Sequence, residues 1–284
     1  MSAVPIVAAY ALQEALRRRV FLVVLVLTAG FLGLFWLGAD KAFEEARELR
    51  DPSEILEIDV AVGATLLGLA MFATLFLGTV LAVFLTLGAV RGDAERGLLQ
   101  PLVVRPVGRS TFLIARFLGA AVVCALYVIA VFAATTLIVR AAGGWWPDQF
   151  VVPALELAAA AVLLCGLSLL GSVFLSTTAN GIAVFMLYGA GLTAGLLGQI
   201  GEGLGSQTLV DVSDRASIAL PFEALYQDGL HRITSETAGA AAFVVQLGPF
   251  GGAQQAGAGM LLWAAAYLGL IGVAAATAFA RRDL

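Results

Sequence analysis

Residues 20–38 read VFLVVLVLTAGFLGLFWLG, an apolar run without a charged side chain. At about 1.5 Å per residue, a helix of this length nearly spans the ~30 Å hydrocarbon core of a bilayer. Three arginines, Arg17 to Arg19, precede the run, as in a secretory signal. However, the run is longer than the ~7–15 apolar residues of a signal peptide, and no small-x-small cleavage site follows it. It therefore predicts an uncleaved membrane-spanning helix.

Apolar runs of similar length recur along the whole chain. Of its 284 residues, 61% are hydrophobic and only 13% are charged. A soluble domain carries about a quarter charged residues, so this chain has too few polar side chains to cover a water-facing exterior. We predict an all-α integral membrane protein with six spans, at about 20–38, 60–90, 112–139, 154–176, 181–200 and 258–280.

Two segments between the predicted spans are more polar. Residues 39–59 are rich in Asp and Glu and predict an acidic extracytoplasmic loop with a short helix broken at Pro52. Residues 201–257 mix polar and apolar stretches with several glycines. We predict short extracytoplasmic helices there, between the fifth and sixth spans, that lie on or dip into the outer face of the membrane.

The segment before the first span has the pattern of an interfacial helix. Gln13 with Arg17, and Glu14 with Arg18, are i,i+4 pairs on one face, and apolar side chains occupy another. We predict an N-terminal helix that lies along the cytoplasmic interface, with Glu14, Arg17 and Arg18 on its polar face. A plain cytoplasmic extension of the first span is the alternative.

The distribution of charge gives the topology. With six spans, both termini lie on one side, and that side carries 10 of the 16 basic residues but only 4 of the 20 acidic residues. Basic residues near the ends of spans are retained in the cytoplasm. The termini are therefore predicted to be cytoplasmic, in the cytoplasmic membrane of a bacterium.

Motifs of catalysis and nucleotide binding are absent from the sequence. It contains no GxxxxGK(S/T), no HExxH and no GxSxG. His231 is the only histidine, and Cys124 and Cys165 lie within apolar runs, where they are expected to pack as small core side chains. Glu156, placed at the start of the fourth span, is expected to favour the helix N-terminus. We therefore expect no enzyme activity, no cofactor or metal site on this chain, and no nucleic acid partner.

The segment between the second and third spans is the most informative. Residues 91–119 read RGDAERGLLQPLVVRPVGRSTFLIARFLG: a charged stretch, a glycine, an apolar cluster, an Arg-Pro turn, and then the start of the next helix. Such a module suits docking of a soluble partner on the cytoplasmic side. A basic loop that only fixes the topology is the alternative that composition leaves open.

These residues resemble the signature of type-2 ABC exporter permeases, in which an acidic-x-Gly-Thr-Leu run is followed by Pro-Val-x-Arg and Lys-x-Leu-Gly. The resemblance extends to Glu14, to Pro221-Phe222-Glu223 and to Phe279 with the closing Arg281-Arg282-Asp283, so it covers nearly the whole chain. Two features depart from it: Leu98 stands where Thr is usual, and the acidic loop 39–59 is insertion-like.

The resemblance implies a permease half that pairs with a second permease, often a copy of itself, as a homodimer in the lipid bilayer. Each half would dock a separate ABC ATPase subunit, which would hold the ATP and Mg²⁺. The cytoplasmic coupling segment 91–111 would form this contact. The residues that it places there are Glu95, Arg96, Leu98, Arg105 and Arg109.

A glycine pattern in the fifth span predicts a helix–helix contact. Gly191 and Gly195 form a GxxxG motif, which lets helix backbones approach closely in lipid. The sequence leaves open whether the partner helix belongs to the same chain or to a second copy.

The leading hypothesis is the membrane subunit of an ATP-driven exporter of unidentified substrate. One alternative is a membrane anchor or regulatory subunit of a complex, which would dock partners without ATP-stimulated transport. Another is an ATP-independent channel or carrier. An ion-coupled carrier usually needs ionisable residues inside its spans, and the predicted spans show no chain of them.

Overall fold

The computed structural model describes residues 19–48, 55–86, 109–234 and 255–281. These residues form eight helices and no strand, and six of the helices are long and apolar enough to cross a membrane, which confirms the predicted all-α membrane fold. The helices are α1 (Arg19–Glu48), α2 (Ile55–Thr86), α3 (Arg109–Gly143), α4 (Val151–Phe174), α5 (Thr177–Leu204), α6 (Gln207–Ala219), α7 (Pro221–Thr234) and α8 (Ala258–Ala280). The short helices α6 and α7 lie between the fifth and sixth spanning helices, as predicted.

The spanning helices alternate in direction, which gives the bundle two ends. The terminal end is the one at which α1 begins and α8 ends, and the distal end is the opposite one. At the distal end, the last turn of α1 meets α3, where Arg47 donates a hydrogen bond of 2.9 Å to the Ala142 carbonyl. At the terminal end, the Asn180 amide of α5 donates to the Ser168 carbonyl of α4 at 2.9 Å. The Ser168 hydroxyl also pairs with Thr86, the last residue of α2, at 2.5 Å.

The connection between α4 and α5 is shorter than the sequence indicated. The turn expected at 177–180 is instead the first turn of α5, and the backbone N–H of Asn180 donates to the Ser176 carbonyl. The interhelical bonds of the Asn180 side chain account for this difference, because they satisfy a polar residue that would otherwise favour a loop.

Helix α4 is the centre of the bundle and contacts α2, α3, α5, α7 and α8. Small residues let the helices approach closely, as at Gly78 of α2, where a Cβ would lie 2.7 Å from the Val128 side chain. In lipid, such packing replaces the hydrophobic effect as the force that joins helices. The buried apolar side chains of α4 include Leu157, Ala160, Ala161, Leu164 and Cys165.

Helix α1 continues well beyond the predicted span. Ten residues assigned to the acidic loop, 39–48, are helical, because a stripe of Ala39, Phe43 and Ala46 is buried as the helix leaves the apolar run. The ring of Phe43 packs directly on Gly143 at the end of α3. The acidic side chains of this stretch remain exposed around the stripe.

Helices α6 and α7 form a hairpin, here called the re-entrant hairpin, that turns back into the bundle. Gly205 ends α5 with φ 65°, a left-handed conformation that favours glycine and reverses the chain. Helix α6 then runs along α5, where a Cβ on Gly201 would lie 2.8 Å from that of Leu209. Phe222, near the start of α7, packs on Gly191, which lies about 20 Å from the end of α5 at Leu204. Part of the segment predicted to lie outside, the hairpin Gln207–Thr234, thus enters the bundle.

Candidate functional site

Helix α7 is polar in sequence but buried in the protein. It reads PFEALYQDGLHRIT, with Pro221 in the first turn, Glu223 close behind it, and His231 and Arg232 in the last turn, which suits the helix dipole. Residues 221–230 are all buried. Ionisable side chains inside a membrane bundle are costly and mark functional sites. Among the described residues, helix α7 therefore carries the candidate functional site.

One end of α7 carries a charged node, defined as Glu156, Asp228 and Arg232. The Arg232 guanidinium donates two hydrogen bonds to Asp228 Oδ2, from Nε at 3.0 Å and from Nη2 at 2.8 Å. The same Nε lies 3.4 Å from Oε1 of Glu156 on α4. Both carboxyl groups are buried, and Arg232 is 28% exposed. One guanidinium therefore joins two acidic side chains from two helices.

The node also fixes two connecting segments at the distal end. Arg232 Nη1 donates to Gln149 Oε1, between α3 and α4, at 3.3 Å. The backbone N–H of Ala256, just before α8, donates to Asp228 Oδ1 at 2.8 Å. Burial of Asp228 opposes its charge, but hydrogen bonds from its neighbours outweigh burial and lower its pKa below the ordinary value. Asp228 is therefore held as a carboxylate, and the node as a whole links α4, α7 and the segments that precede α4 and α8.

The other end of α7 packs against α5 along a glycine seam, defined as Gly191 and Gly195 of α5 with Glu223 and Gln227 of α7. A Cβ on Gly191 would lie 2.6 Å from the Phe222 ring, and one on Gly195 would collide with the Glu223 carboxyl and lie 2.5 Å from Gln227 Nε2. Any side chain larger than hydrogen would displace α7. The GxxxG motif thus serves a contact between α5 and α7 of the same chain.

The glycine seam leaves polar atoms without partners. Among the described residues, no hydrogen bond reaches four buried oxygens: Glu223 Oε1, Gln227 Oε1, Tyr188 OH and Tyr226 OH. Burial raises the pKa of Glu223 to about 7, and hydrogen bonding from Gln227 opposes this only in part. Buried polar atoms without partners call for a physical explanation such as a bound proton, water or ion.

Aromatic rings surround the glycine seam and keep it apolar. Tyr188 of α5 stacks on Phe222 with centroids 6.4 Å apart and an interplanar angle of 16°. Phe72 and Phe76 of α2 lie against Tyr188 at 6.5 and 6.1 Å. A charge at Glu223 would therefore have little polar surrounding to stabilise it.

The structure brings together only some of the residues that the sequence singled out. Gly191 and Gly195 lie at the centre of the site. Arg109 is the first residue of α3 at the terminal end. The remaining predicted docking residues and the interfacial helix lie outside the described residues: Glu95, Arg96, Leu98, Arg105, Glu14, Arg17 and Arg18.

The expectation for Glu156 was wrong. Helix α4 begins at Val151, and its first turn contains no acidic residue, so Glu156 does not act on the helix N-terminus. It is 2% exposed and faces Arg232 instead. The i,i+4 spacing of Asp228 and Arg232, and of Glu223 and Gln227, was the available sequence signal for α7. It was missed because a polar segment between spans reads as solvent-exposed.

No group of three or more His, Cys, Asp or Glu side chains in the described part of the chain could hold a metal ion. Cys124 and Cys165 are free and buried in the core. The site contains three buried carboxyl groups, on Glu156, Glu223 and Asp228, and aromatic rings line the glycine seam.

Comparison with known proteins gives one finding across nearly the whole chain. A family model described as "ABC-2 family transporter protein" matches residues 6–284. The search of curated proteins finds no significant match. The matched range includes every spanning helix, the coupling segment 91–111 and the re-entrant hairpin.

Proposed function

Because the chain belongs to the ABC-2 transporter family and is a membrane permease of that transporter class, we propose that it is the permease subunit of an ATP-driven exporter. The family match over residues 6–284 is the observation that carries this proposal. Energy would come from a separate ATPase subunit, since the sequence lacks the GxxxxGK(S/T) loop that holds nucleotide phosphates. The substrate would cross the cytoplasmic membrane of a bacterium.

The arrangement of charge supports an orientation with the terminal end in the cytoplasm. The basic segment 91–116 follows α2 and leads into α3 at that end, and Arg281 closes α8 there. The distal end carries the exposed acidic side chains of α1 and the re-entrant hairpin. By the positive-inside rule, the distal end would face outward.

The coupling segment would dock the ATPase. Its predicted contacts are Glu95, Arg96, Leu98, Arg105 and Arg109, between the second and third spanning helices. Nucleotide-driven closure of two ATPase subunits would move two permease copies relative to each other, which gives alternating or gated access. The support for this arrangement is the motif in the sequence together with the family.

A detergent pull-down from the native host tests the proposal. The tagged chain is purified with and without Arg105→Glu and Arg109→Glu, and co-purifying proteins are identified. We expect an ATPase with a GxxxxGK(S/T) loop to accompany the parent and to be lost from the double variant. Arg215→Glu is the matched control, because Arg215 is exposed on α6 at the opposite end of the bundle and should retain the ATPase.

The proposal fails if no such ATPase accompanies the parent in several mild detergents. Loss of the ATPase from Arg215→Glu as well would locate the defect in folding and not in docking. Retention of the ATPase by the double variant would leave the exporter proposal in place but would mean that the coupling segment does not form the contact.

A further inference from the structure

We propose that Glu223 is a proton-binding site within the glycine seam, and that the bound proton holds α7 against α5. Three observations carry the inference: the count of buried charges around α7, the contacts of the Glu223 carboxyl, and the unpartnered oxygens beside it. The proposal concerns the hairpin itself and stands whether or not the permease is an exporter.

Among the residues that the structure describes, the charges around α7 do not balance. Three buried carboxyl groups, Glu156, Glu223 and Asp228, are set against one guanidinium, Arg232. Arg232 is fully engaged with the charged node. Glu223 lies about 14 Å of helix rise before Arg232 on the same helix, and no cation of the described residues lies beside it. An isolated ionised carboxylate in a low-dielectric interior is strongly unfavourable, and such a group takes up a proton instead.

Within the described ranges, no other ionisable group on the elements that pack against α7 supplies the missing charge. Helix α2 carries ionisable side chains only at its start, in Glu57 and Asp59, and α8 carries only Tyr267. Helix α5 contributes Tyr188 at the seam and Glu202 near its end. Helix α4 contributes Glu156, which belongs to the charged node, and the buried thiol of Cys165, which supplies no positive charge. The remaining groups are Tyr226 and His231 on α7 itself, Asp148 in the connection before α4, and the exposed Asp211, Asp214 and Arg215 of α6.

The glycine seam suits a neutral carboxyl group. Because Gly195 has no side chain, the Glu223 carboxyl and the Gln227 amide both lie directly against the α5 backbone, where water has no room. An ionised Glu223 can only accept hydrogen bonds, and Gln227 Oε1 can only accept as well, so both Oε1 atoms remain unpartnered. The Gln227 amide already hydrogen-bonds to the Glu223 carboxyl group, and a proton on Glu223 adds a donor that the unpartnered Gln227 Oε1 can accept.

Release of the proton would loosen the seam. An ionised Glu223 must find water, and the nearest route to water is separation of α7 from α5. Proton binding and seam closure are therefore linked, and each favours the other. The raised pKa of Glu223, about 7, places this titration in the range that a cell experiences.

Cysteine labelling in membrane vesicles tests the linkage. Ala194 is buried on α5 between the two seam glycines, so Ala194→Cys reports opening of the seam. Its labelling rate with a water-soluble maleimide is measured from pH 5.5 to 8.5. The rate is divided by that of Leu204→Cys, which is 75% exposed at the end of the same helix, to remove the intrinsic pH dependence of thiols. Both are made with Cys124 and Cys165 replaced by Ala.

We expect the normalised rate to rise by about tenfold or more across this range, since one proton permits at most a tenfold change per pH unit. Glu223→Gln, which imitates the protonated acid, should keep the rate low at every pH. Glu45→Gln, an exposed acid on α1, should behave like the parent.

A normalised rate that does not change with pH in the parent overturns the proposal, and this result needs no variant of Glu223. An equal rise in Glu223→Gln overturns it as well, because another group would then be responsible. If Glu223→Gln does not reach the membrane, Glu223→Asp replaces it, and the midpoint of the rise must then shift from that of the parent.

Discussion

The two ends of α7 bury acidic side chains in opposite ways. In the charged node, Asp228 accepts hydrogen bonds from Arg232 and from the Ala256 amide. In the glycine seam, Glu223 faces a glycine backbone and the Gln227 amide, with no cation. The two carboxyl groups lie five residues apart on one helix and are equally buried, at 3% exposure each. Hydrogen bonds from Arg232 and Ala256 favour the charged form of Asp228, whereas burial favours the protonated form of Glu223.

This difference gives α7 one fixed end and one end that responds to its surroundings. The charged node joins α4, α7 and the segments before α4 and α8, so it anchors the hairpin at the distal end. The glycine seam reaches about halfway along α5, and its closure depends on a single proton.

Removal of the cation from the charged node should have the largest effect. In Arg232→Met, the buried Glu156 and Asp228 lose the cation that pairs with both of them, and breaking a buried ion pair in this way costs about 3–5 kcal/mol. We expect a clear fall in the thermal unfolding midpoint of the purified protein. Arg215→Met, on the exposed face of α6, should change the free energy of unfolding by no more than about 0.5 kcal/mol and leave the midpoint close to that of the parent. Similar midpoints for Arg232→Met and the parent would show that the node does not anchor the hairpin.

The carboxyl groups at the two ends of α7 should change the stability in opposite directions as the pH rises. The folded pKa of Glu223, about 7, lies above its ordinary 4.5, so the folded state binds more protons between these values. Stability should therefore fall as pH rises from about 4.5 to about 7 and stay level above that, by roughly 3 kcal/mol in total. Asp228 has a lowered pKa, so its contribution is present above its ordinary pKa of 3.8 and is lost as pH falls below it.

Glu223→Gln should reduce the loss of stability between pH 5 and pH 8, because it removes the carboxyl group that loses its proton in this range. Thermal unfolding of the parent and of this variant at pH 5, 6, 7 and 8 provides the measurement. A parent whose stability does not fall over this range, or a variant whose stability falls to the same extent, contradicts the assignment to Glu223.

The fold was predictable to a greater extent than the site, for physical reasons. The six spans follow from apolar runs, since a bilayer imposes a minimum length on each helix. The extension of α1 to Glu48 depends on Phe43 packing against Gly143, a long-range contact that composition does not reveal. Burial of α7 depends on glycines in α5, which are far enough away in sequence that α7 alone reads as a surface helix.

The site was missed where the partner of a residue lies in another element. Glu156 reads as a helix-terminus acid until α7 brings Arg232 to it, and Glu223 reads as an exposed acid until Gly195 gives it a place to pack. The glycine motif was recognised, but its partner was left open, because GxxxG indicates close approach without naming the helix that approaches.

The smallest expected effect concerns two glycines of α5, Gly191 within the glycine seam and Gly189 outside it. A Cβ on Gly191 would lie 2.6 Å from the Phe222 ring and 3.4 Å from Glu223 Cβ, whereas one on Gly189 meets nothing within 4 Å. Because Phe222 is fully buried and has no free space into which to move, Gly191→Ala should cost about 1–2 kcal/mol of stability. Gly189→Ala should be neutral or slightly stabilising, because alanine favours a helix by up to about 1 kcal/mol relative to glycine. Thermal unfolding of both variants decides the matter: equal midpoints would mean that α7 does not pack on α5 as closely as the seam requires.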